Sequence, residues 1–282
     1  MSGDHHKDEI VHLTEELESC KGSGKGLRVV VAGKGGVGKT TLSAALCLLR
    51  SRNGRVLAID QDSQQNLAFS LGYPRHLAGK LVPITQDCGY VEEKTGSRPG
   101  SSGGLMRLNP DVSDVAERFG VHIAPNLDLL VMGGVAHASS GCLCAENALL
   151  ASMIRYLECR DEDLVVMDTQ AGLEPFGRGI AEGFRCALVV TDATSNSMQV
   201  AQRVGQLSKD LGIEKVILVA NRCDPSSERK LQPLIASGLF DSVHRLPVDA
   251  SIIGHEPDLT PVIAEGGAYV KGVEGLLKTM TQ

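Results

Sequence analysis

The stretch LRVVVAGKGGVGKTTLSAALCLL, residues 27–49, decides how the rest of the chain reads. Residues 27–33 form a short apolar run rich in β-branched side chains, the pattern of a strand buried on both faces. The loop G-K-G-G-V-G-K-T-T (33–41) follows directly, and a helical segment then runs to Leu49. A phosphate-binding loop requires that order of strand, glycine-rich loop and helix. Gly35, Gly36 and Gly38 allow unusual backbone angles and close approach, so successive N–H groups can point at phosphate oxygens. The helix N-terminus behind the loop adds a favourable partial charge. In this reading Gly33, Lys34, Gly35, Gly36, Val37, Gly38, Lys39, Thr40 and Thr41 cradle ATP. Lys39 contacts the β- and γ-phosphates, and the Thr40 hydroxyl coordinates Mg²⁺. The plainer alternative is a glycine-rich turn that holds no ligand.

Outward from this stretch, strand-like and helix-like patterns alternate. RVLAID (55–60), LDLLVMG (127–133), DLVVMD (163–168), ALVVTD (187–192) and KVILVAN (215–221) read as strands, and ENALLASMIRYLE (146–158) as a helix. The section from about 72 to 128 is crowded with turn residues, including RPGSSGG. The pattern predicts an α/β fold, a largely parallel sheet flanked by helices on both faces. Gly33, Asp60, Asp168, Asp192 and Asn221 fall at the C-terminal ends of strands, the edge where open parallel sheets bind ligands. Residues 1–26 read as a polar extension: Ile10, Leu13 and Leu17 recur at helical spacing, and KGSGKG has the composition of a flexible linker. The domain proper is expected over 27–282.

Composition sets further bounds. Of the 282 residues 42% are hydrophobic, enough for a substantial core, and with no Trp and 3% aromatics that core must be aliphatic. A formal charge of −6 and a pI near 5.8 argue against a nucleic-acid surface, whose footprint is a basic patch. The polar, acidic start MSGDHHKDEI lacks the layout of a signal peptide, and no apolar run approaches the roughly 20 residues that span a bilayer. A cytoplasmic protein with no membrane partner is expected. In that compartment eight cysteines read as core residues, metal ligands or redox groups rather than a disulfide framework.

Lys34 departs from an ordinary phosphate loop. A second lysine near the loop's start resembles the deviant Walker A class, which includes septum-positioning, arsenite-pump and nitrogenase iron-protein ATPases. The resemblance implies a nucleotide-dependent homodimer in which each Lys34 crosses to the phosphates of the opposite subunit; the alternative is a solvated loop lysine. Asp60 and Asp62 in VLAIDQD resemble the switch I segment of that class, Asp62 matching the position that orients the attacking water. Asp168 ends VVMD, a Walker B pattern, and would hold Mg²⁺ through water. TQAG (169–172) looks like switch II. Asn221 in VANRCD and Pro247, Val248 and Asp249 resemble two adenine-edge segments, although an Asn after a strand is often only a turn former. Lys34, Lys39, Asp62 and Asp168 are the catalytic candidates.

Cys142 and Cys144 in GCLCAEN are the only cysteines close in sequence. A disulfide across one intervening residue would be strained. Thiolates suit soft or borderline ions such as nickel or zinc. Two of them supply half of a four-coordinate shell, which a symmetric dimer could complete at its two-fold axis. His137 could instead complete a site within one chain, and two small buried hydrophobes are the plainer reading. Cys20, Cys47, Cys88, Cys159, Cys186 and Cys223 have no ligand-like spacing and read as buried or incidental.

Together the loop at 33–41, VEEKTGSRPGSSGGLMRLNPDVSD (91–114), LLVMG (129–133), GCLCAENALL (141–150) and DTQAGLEPFGRG (168–179) resemble the CooC/AcsF family. Those ATPases insert nickel into carbon monoxide dehydrogenase or acetyl-CoA synthase. The resemblance covers about 27–280 and implies that Cys142 and Cys144 bind Ni²⁺, or Zn²⁺, across a dimer. The chain departs from the family pattern at Ala145, where Pro is usual, at Gln170, where an acid is frequent, and at Pro175, where His is frequent. Two other classes compete. An iron–sulfur reductase resembling the nitrogenase iron protein would need a cysteine soon after Asp168, and the nearest downstream is Cys186. A MinD/ParA-like positioning ATPase would call for a basic amphipathic face, yet YVKGVEGLLKTMTQ carries only Lys271 and Lys278.

Overall fold

Side chains alternate across a strand, so a strand that is apolar at every position must be covered on both faces. The computed structural model describes residues 26–98, 106–133, 144–158, 164–173, 176, 181 and 183–281. Among these described residues eight strands form one sheet: β1 (Leu27–Gly33), β2 (Val56–Gln61), β3 (Val121–Ala124), β4 (Leu127–Val131), β5 (Leu164–Thr169), β6 (Cys186–Thr191), β7 (Lys215–Ala220) and β8 (Ser242–Arg245). Their spatial order is β3-β4-β2-β5-β1-β6-β7-β8. Neighbours run parallel except β3, which is antiparallel to β4.

The core divides by strand parity. Val29, Val31, Val166, Leu188 and Val219 face one side, packing with Leu42 and Leu46 of α1 (Lys39–Arg50) and Val273 and Leu276 of α11 (Ala268–Thr281). Val30, Ala32, Met167, Val189 and Leu218 face the other. There they meet α4 (Cys88–Thr95), α6 (Cys144–Glu158) and α7 (Ser195–Asp210) through Tyr90, Leu149 and Val204. Helices therefore cover both faces, as the apolar runs require.

The turn-rich section holds more regular structure than its composition suggests. After α2 (Leu67–Ser70) come α3 (Arg75–Ala78), a 3₁₀ turn (Ile84–Gln86), α4, α5 (Val115–Phe119) and β3. These elements are short, and the four residues of β3 are none of them fully buried, so no period emerges. The same is true of edge strand β8. α8 (Pro225–Ile235), α9 (Ala250–His255) and α10 (Thr260–Glu265) complete the chain before α11. The expectations for 1–25 lie outside the described residues.

Strand β1 is central, between β5 and β6, and its last residue fixes the geometry of the loop beyond it. Gly33 pairs with Val190 at φ +148°, and a Cβ there would stand 2.2 Å from the Val190 carbonyl oxygen. Neither the backbone angle nor the contact admits a side chain. Gly33→Ala is expected to cost about 3 kcal/mol or more, by forced strand separation and backbone strain. Urea denaturation measures this, and a loss below about 0.5 kcal/mol would show that β1 and β6 can part freely at this point.

Candidate nucleotide site

The loop between β1 and α1 turns on three glycines, though not the three expected. Gly33, Gly36 and Gly38 have positive φ of 148°, 81° and 95°, whereas Gly35 does not adopt that conformation. Gly38 is the N-cap of α1 and has no side chain to satisfy the helix's first N–H groups. Those donors face the loop, which is how a helix N-terminus becomes an anion site. Gly38 is also sterically required: a Cβ would stand 2.4 Å from Nδ2 of Asn221.

Neighbouring strands brace the loop. The Asn221 amide, just past β7, donates to the Val37 carbonyl at 2.8 Å, and Arg222 donates to the Gly36 carbonyl at 3.1 Å. Arg222 holds φ +54°, which aims the two successive side chains from one turn. On the other flank the Gly172 N–H donates to the Gly33 carbonyl at 3.3 Å, tying the segment after β5 to the loop. Asn221 thus touches the loop directly. Pro247 is half-buried, Val248 is 62% exposed, and Asp249 caps α9 through the N–H and hydroxyl of Ser251 at 3.0 and 2.7 Å.

Four charged groups converge at the loop's base. Asp168 of β5 is buried and accepts hydrogen bonds from the Thr40 hydroxyl at 2.7 Å and the Ser43 hydroxyl at 3.0 Å. Ser43 was not singled out from sequence; its spacing of three from Thr40 puts both hydroxyls on one face of α1. Burial pushes the Asp168 carboxyl up to about 6, against the pull of those hydroxyls and of Lys39. Asp60 sits beside Asp168 in register on β2 and is fully buried. One of its oxygens accepts from the Asp62 N–H and the other from the Leu67 N–H, both at 3.0 Å. Burial, reinforced by Asp168, pushes Asp60 up to about 7. Lys39 is buried and donates to the Lys34 carbonyl at 3.3 Å. Burial lowers its ammonium below the usual lysine range, with Asp168 and Asp62 opposing. Asp62 is half-buried and accepts from the Gln64 N–H at 3.0 Å, and the Lys34 side chain is half-buried at the loop's rim.

Thr40, Ser43 and Asp168 present hydroxyl and carboxylate oxygens, hard donors that suit Mg²⁺. Thr41 begins the buried stretch of α1 at half exposure. Of the sulfur motif, Cys144 is the first residue of α6, while Cys142 and His137 lie outside the described residues, as do Pro175, Cys20 and Cys159. Among the described residues no three His, Cys, Asp or Glu side chains are grouped to hold a metal ion. Cys47 and Cys186 are buried, Cys223 is half-buried and Cys88 is exposed. Ala145 is buried and Gln170 half-buried.

The raised carboxyls make stability depend on pH with a definite sign. Asp60 and Asp168 keep protons in the folded state that they lose when unfolded, so without nucleotide or Mg²⁺ they lower stability as pH rises from about 4 to about 7. Asp60→Asn should show a shallower fall over that window in urea titrations. Its offset at pH 4 should be about 1 kcal/mol, from one lost backbone hydrogen bond. Identical slopes for both proteins would mean that Asp60 does not titrate there.

Residues 28–254 match the family described as the CobQ/CobB/MinD/ParA nucleotide-binding domain. The carbon monoxide dehydrogenase accessory protein CooC of Rhodospirillum rubrum is 37% identical over 227 residues, covering 80% of this chain and 85% of that protein. Among solved structures, the MinD cell division protein of Aquifex aeolicus superposes with a TM-score of 0.61 at 19% identity, over 89% of this chain and 97% of that one. Septum site-determining MinD of Pyrococcus horikoshii, complexed with Mg-ADP, gives 0.60 at 23% identity, over 91% and 98%. The folds agree in class with the sheet and loop described above. The chain belongs to the CobQ/CobB/MinD/ParA family of P-loop nucleotide-binding proteins, and within it to the CooC type.

Proposed function

We propose that the protein is an ATPase whose nucleotide-dependent homodimerisation governs delivery of nickel to a client enzyme, carbon monoxide dehydrogenase or acetyl-CoA synthase. The observation that carries this reading is the 37% identity to the carbon monoxide dehydrogenase accessory protein. It is supported by two sequence features, a second lysine in the phosphate loop and the Cys-x-Cys pair at 142 and 144. The ATPase module spans 27–282 and works in the cytoplasm.

In this mechanism the N–H groups from Gly33 to Thr41 receive the phosphates, and Lys39 balances the charge of the β- and γ-oxygens. Thr40 and, through water, Asp168 would hold Mg²⁺, which when bound neutralises charge on the β- and γ-phosphates. Asp62 orients a water in line with the γ-phosphorus; the water oxygen bonds to phosphorus as the bond to the β,γ-bridging oxygen breaks, and the water's proton passes to the departing phosphate or to solvent as ADP and phosphate are released. Asp60 serves from behind, fixing the backbone at Asp62 and Leu67. Asn221 and the 247–249 segment border the adenine. Lys34 crosses to the partner's phosphates and makes the closed dimer depend on ATP.

Nickel is the cargo. Cys142 and Cys144 from two subunits supply four thiolates, a set that zinc would also accept. ATP favours loading because the closed dimer assembles the site, and hydrolysis favours release, each ligand acting through its differential affinity for the closed state. Other observations weigh against the competing classes. Cys186 is buried at the start of β6, the opposite end of that strand from the loop. The apolar face of α11, including Tyr269, Val273 and Leu276, is already buried in the core, and no described helix is long and apolar enough to cross a membrane.

Asp62→Asn is expected to lower the ATPase kcat by about 100-fold while nucleotide affinity stays within about threefold. Steady-state kinetics with nucleotide titration check this, and an unchanged kcat would remove Asp62 from the reaction. Cys142→Ala/Cys144→Ala should abolish tight stoichiometric Ni²⁺ binding, measured by metal analysis after gel filtration, while ATP binding survives. Nickel stoichiometry equal to that of the parent would refute the cargo site.

A further inference from the structure

The phosphate loop occupies one edge of the sheet; a groove of about 640 Å³ opens at the other. It lies where β1 and β5 begin, between the C-terminal ends of α1 and α11. Leu27, Leu49, Leu164 and Leu277 form its apolar lining, and its rim carries Arg50, Arg52 and Lys278 against one acid, Glu274. Gly26 also lines the groove, so the chain before it arrives at this place and no other.

Residues 1–19 have the complementary chemistry. They carry six carboxylates, Asp4, Asp8, Glu9, Glu15, Glu16 and Glu18, against the single lysine Lys7. Ile10, Leu13 and Leu17 are spaced to share one helical face. The connecting residues 20–26 reach up to about 25 Å when extended, and a helix over 10–18 would be roughly 13 Å long, so the segment can return to the groove it leaves. A short helix needs such a partner, because alone it cannot offset its ordering entropy.

We propose that residues 1–19 fold back into this groove of their own chain, with Ile10, Leu13 and Leu17 on its leucine lining and their carboxylates toward Arg50, Arg52 and Lys278. The occupant is intramolecular by reach and by charge, and it sits at the end of α1 remote from the nucleotide. The inference does not depend on the proposed nickel cargo.

The test is amide hydrogen exchange on the full chain, read at residues 49–53 and 274–281. Two variants are compared with the parent: Ile10→Asp/Leu13→Asp/Leu17→Asp, which leaves the folded domain untouched, and Arg50→Glu/Lys278→Glu. Arg52 is spared because it also donates to the Ile263 carbonyl at 3.0 Å. Each variant should exchange about tenfold faster at both places, while β6 and β7 keep parental protection. The parent's protection should not vary with protein concentration. Parental rates at both places in the segment variant would overturn the proposal. So would protection that disappears on dilution, since a second copy would then be filling the groove.

Discussion

The buried carboxylate of Asp168 is the contact on which the site's geometry rests. By accepting from Thr40 and Ser43 it pins the first turn of α1 against the central strands, and so sets where the uncapped helix N-terminus points. The arrangement is electrostatically expensive. Asp60 lies buried in register beside it, and the buried Lys39 nearby is itself held below its ordinary range by desolvation. Charges buried this way are compensated only in part within the protein. A phosphate group would bring negative charge to Lys39, and a divalent cation would bring positive charge to the carboxylates, offsetting both costs.

Backbone fit adds a second constraint. The loop is built by close approach: Gly33 against Val190, Gly38 against Asn221, and the Gly172 N–H on the Gly33 carbonyl. Three strands contribute to that clamp, so displacement of any of them is felt at the loop. The link through Gly172 is the most direct, because it joins the segment after β5 to the loop's entry, and the last residue of β5, Thr169, itself donates to the Val31 carbonyl.

Much of this was legible in the sequence because the decisive features are local. A β-branched run ending in a glycine loop and an apolar helix specifies strand, loop and helix within 23 residues, and the later apolar runs specify parallel neighbours. What could not be read depends on packing between distant segments. Gly35 looks like its neighbours on paper, yet Gly33 and Gly38 are the residues whose φ and contacts forbid a side chain. Asn221 reads as a nucleotide-edge residue or a turn former, and the structure adds a third part, a brace on Val37 that only the β1–β6–β7 arrangement creates. Ser43 and Arg222 carry no motif and acquire their contacts through α1 and a positive-φ turn. β3 and β8 escaped because half-buried four-residue edge strands have no period to detect.

Because β1 starts at the edge of the sheet opposite the glycine loop, residues ahead of it join the sheet on the side away from that loop. The fold thus has a natural point of accretion. The strand pairings of β1 begin at Leu27, so the stretch ahead of it takes part in none of them, while the glycine clamp at the other end of the same strand leaves no room for a side chain. One strand of seven residues separates the place where the chain enters the sheet from the loop whose close approaches exclude side chains.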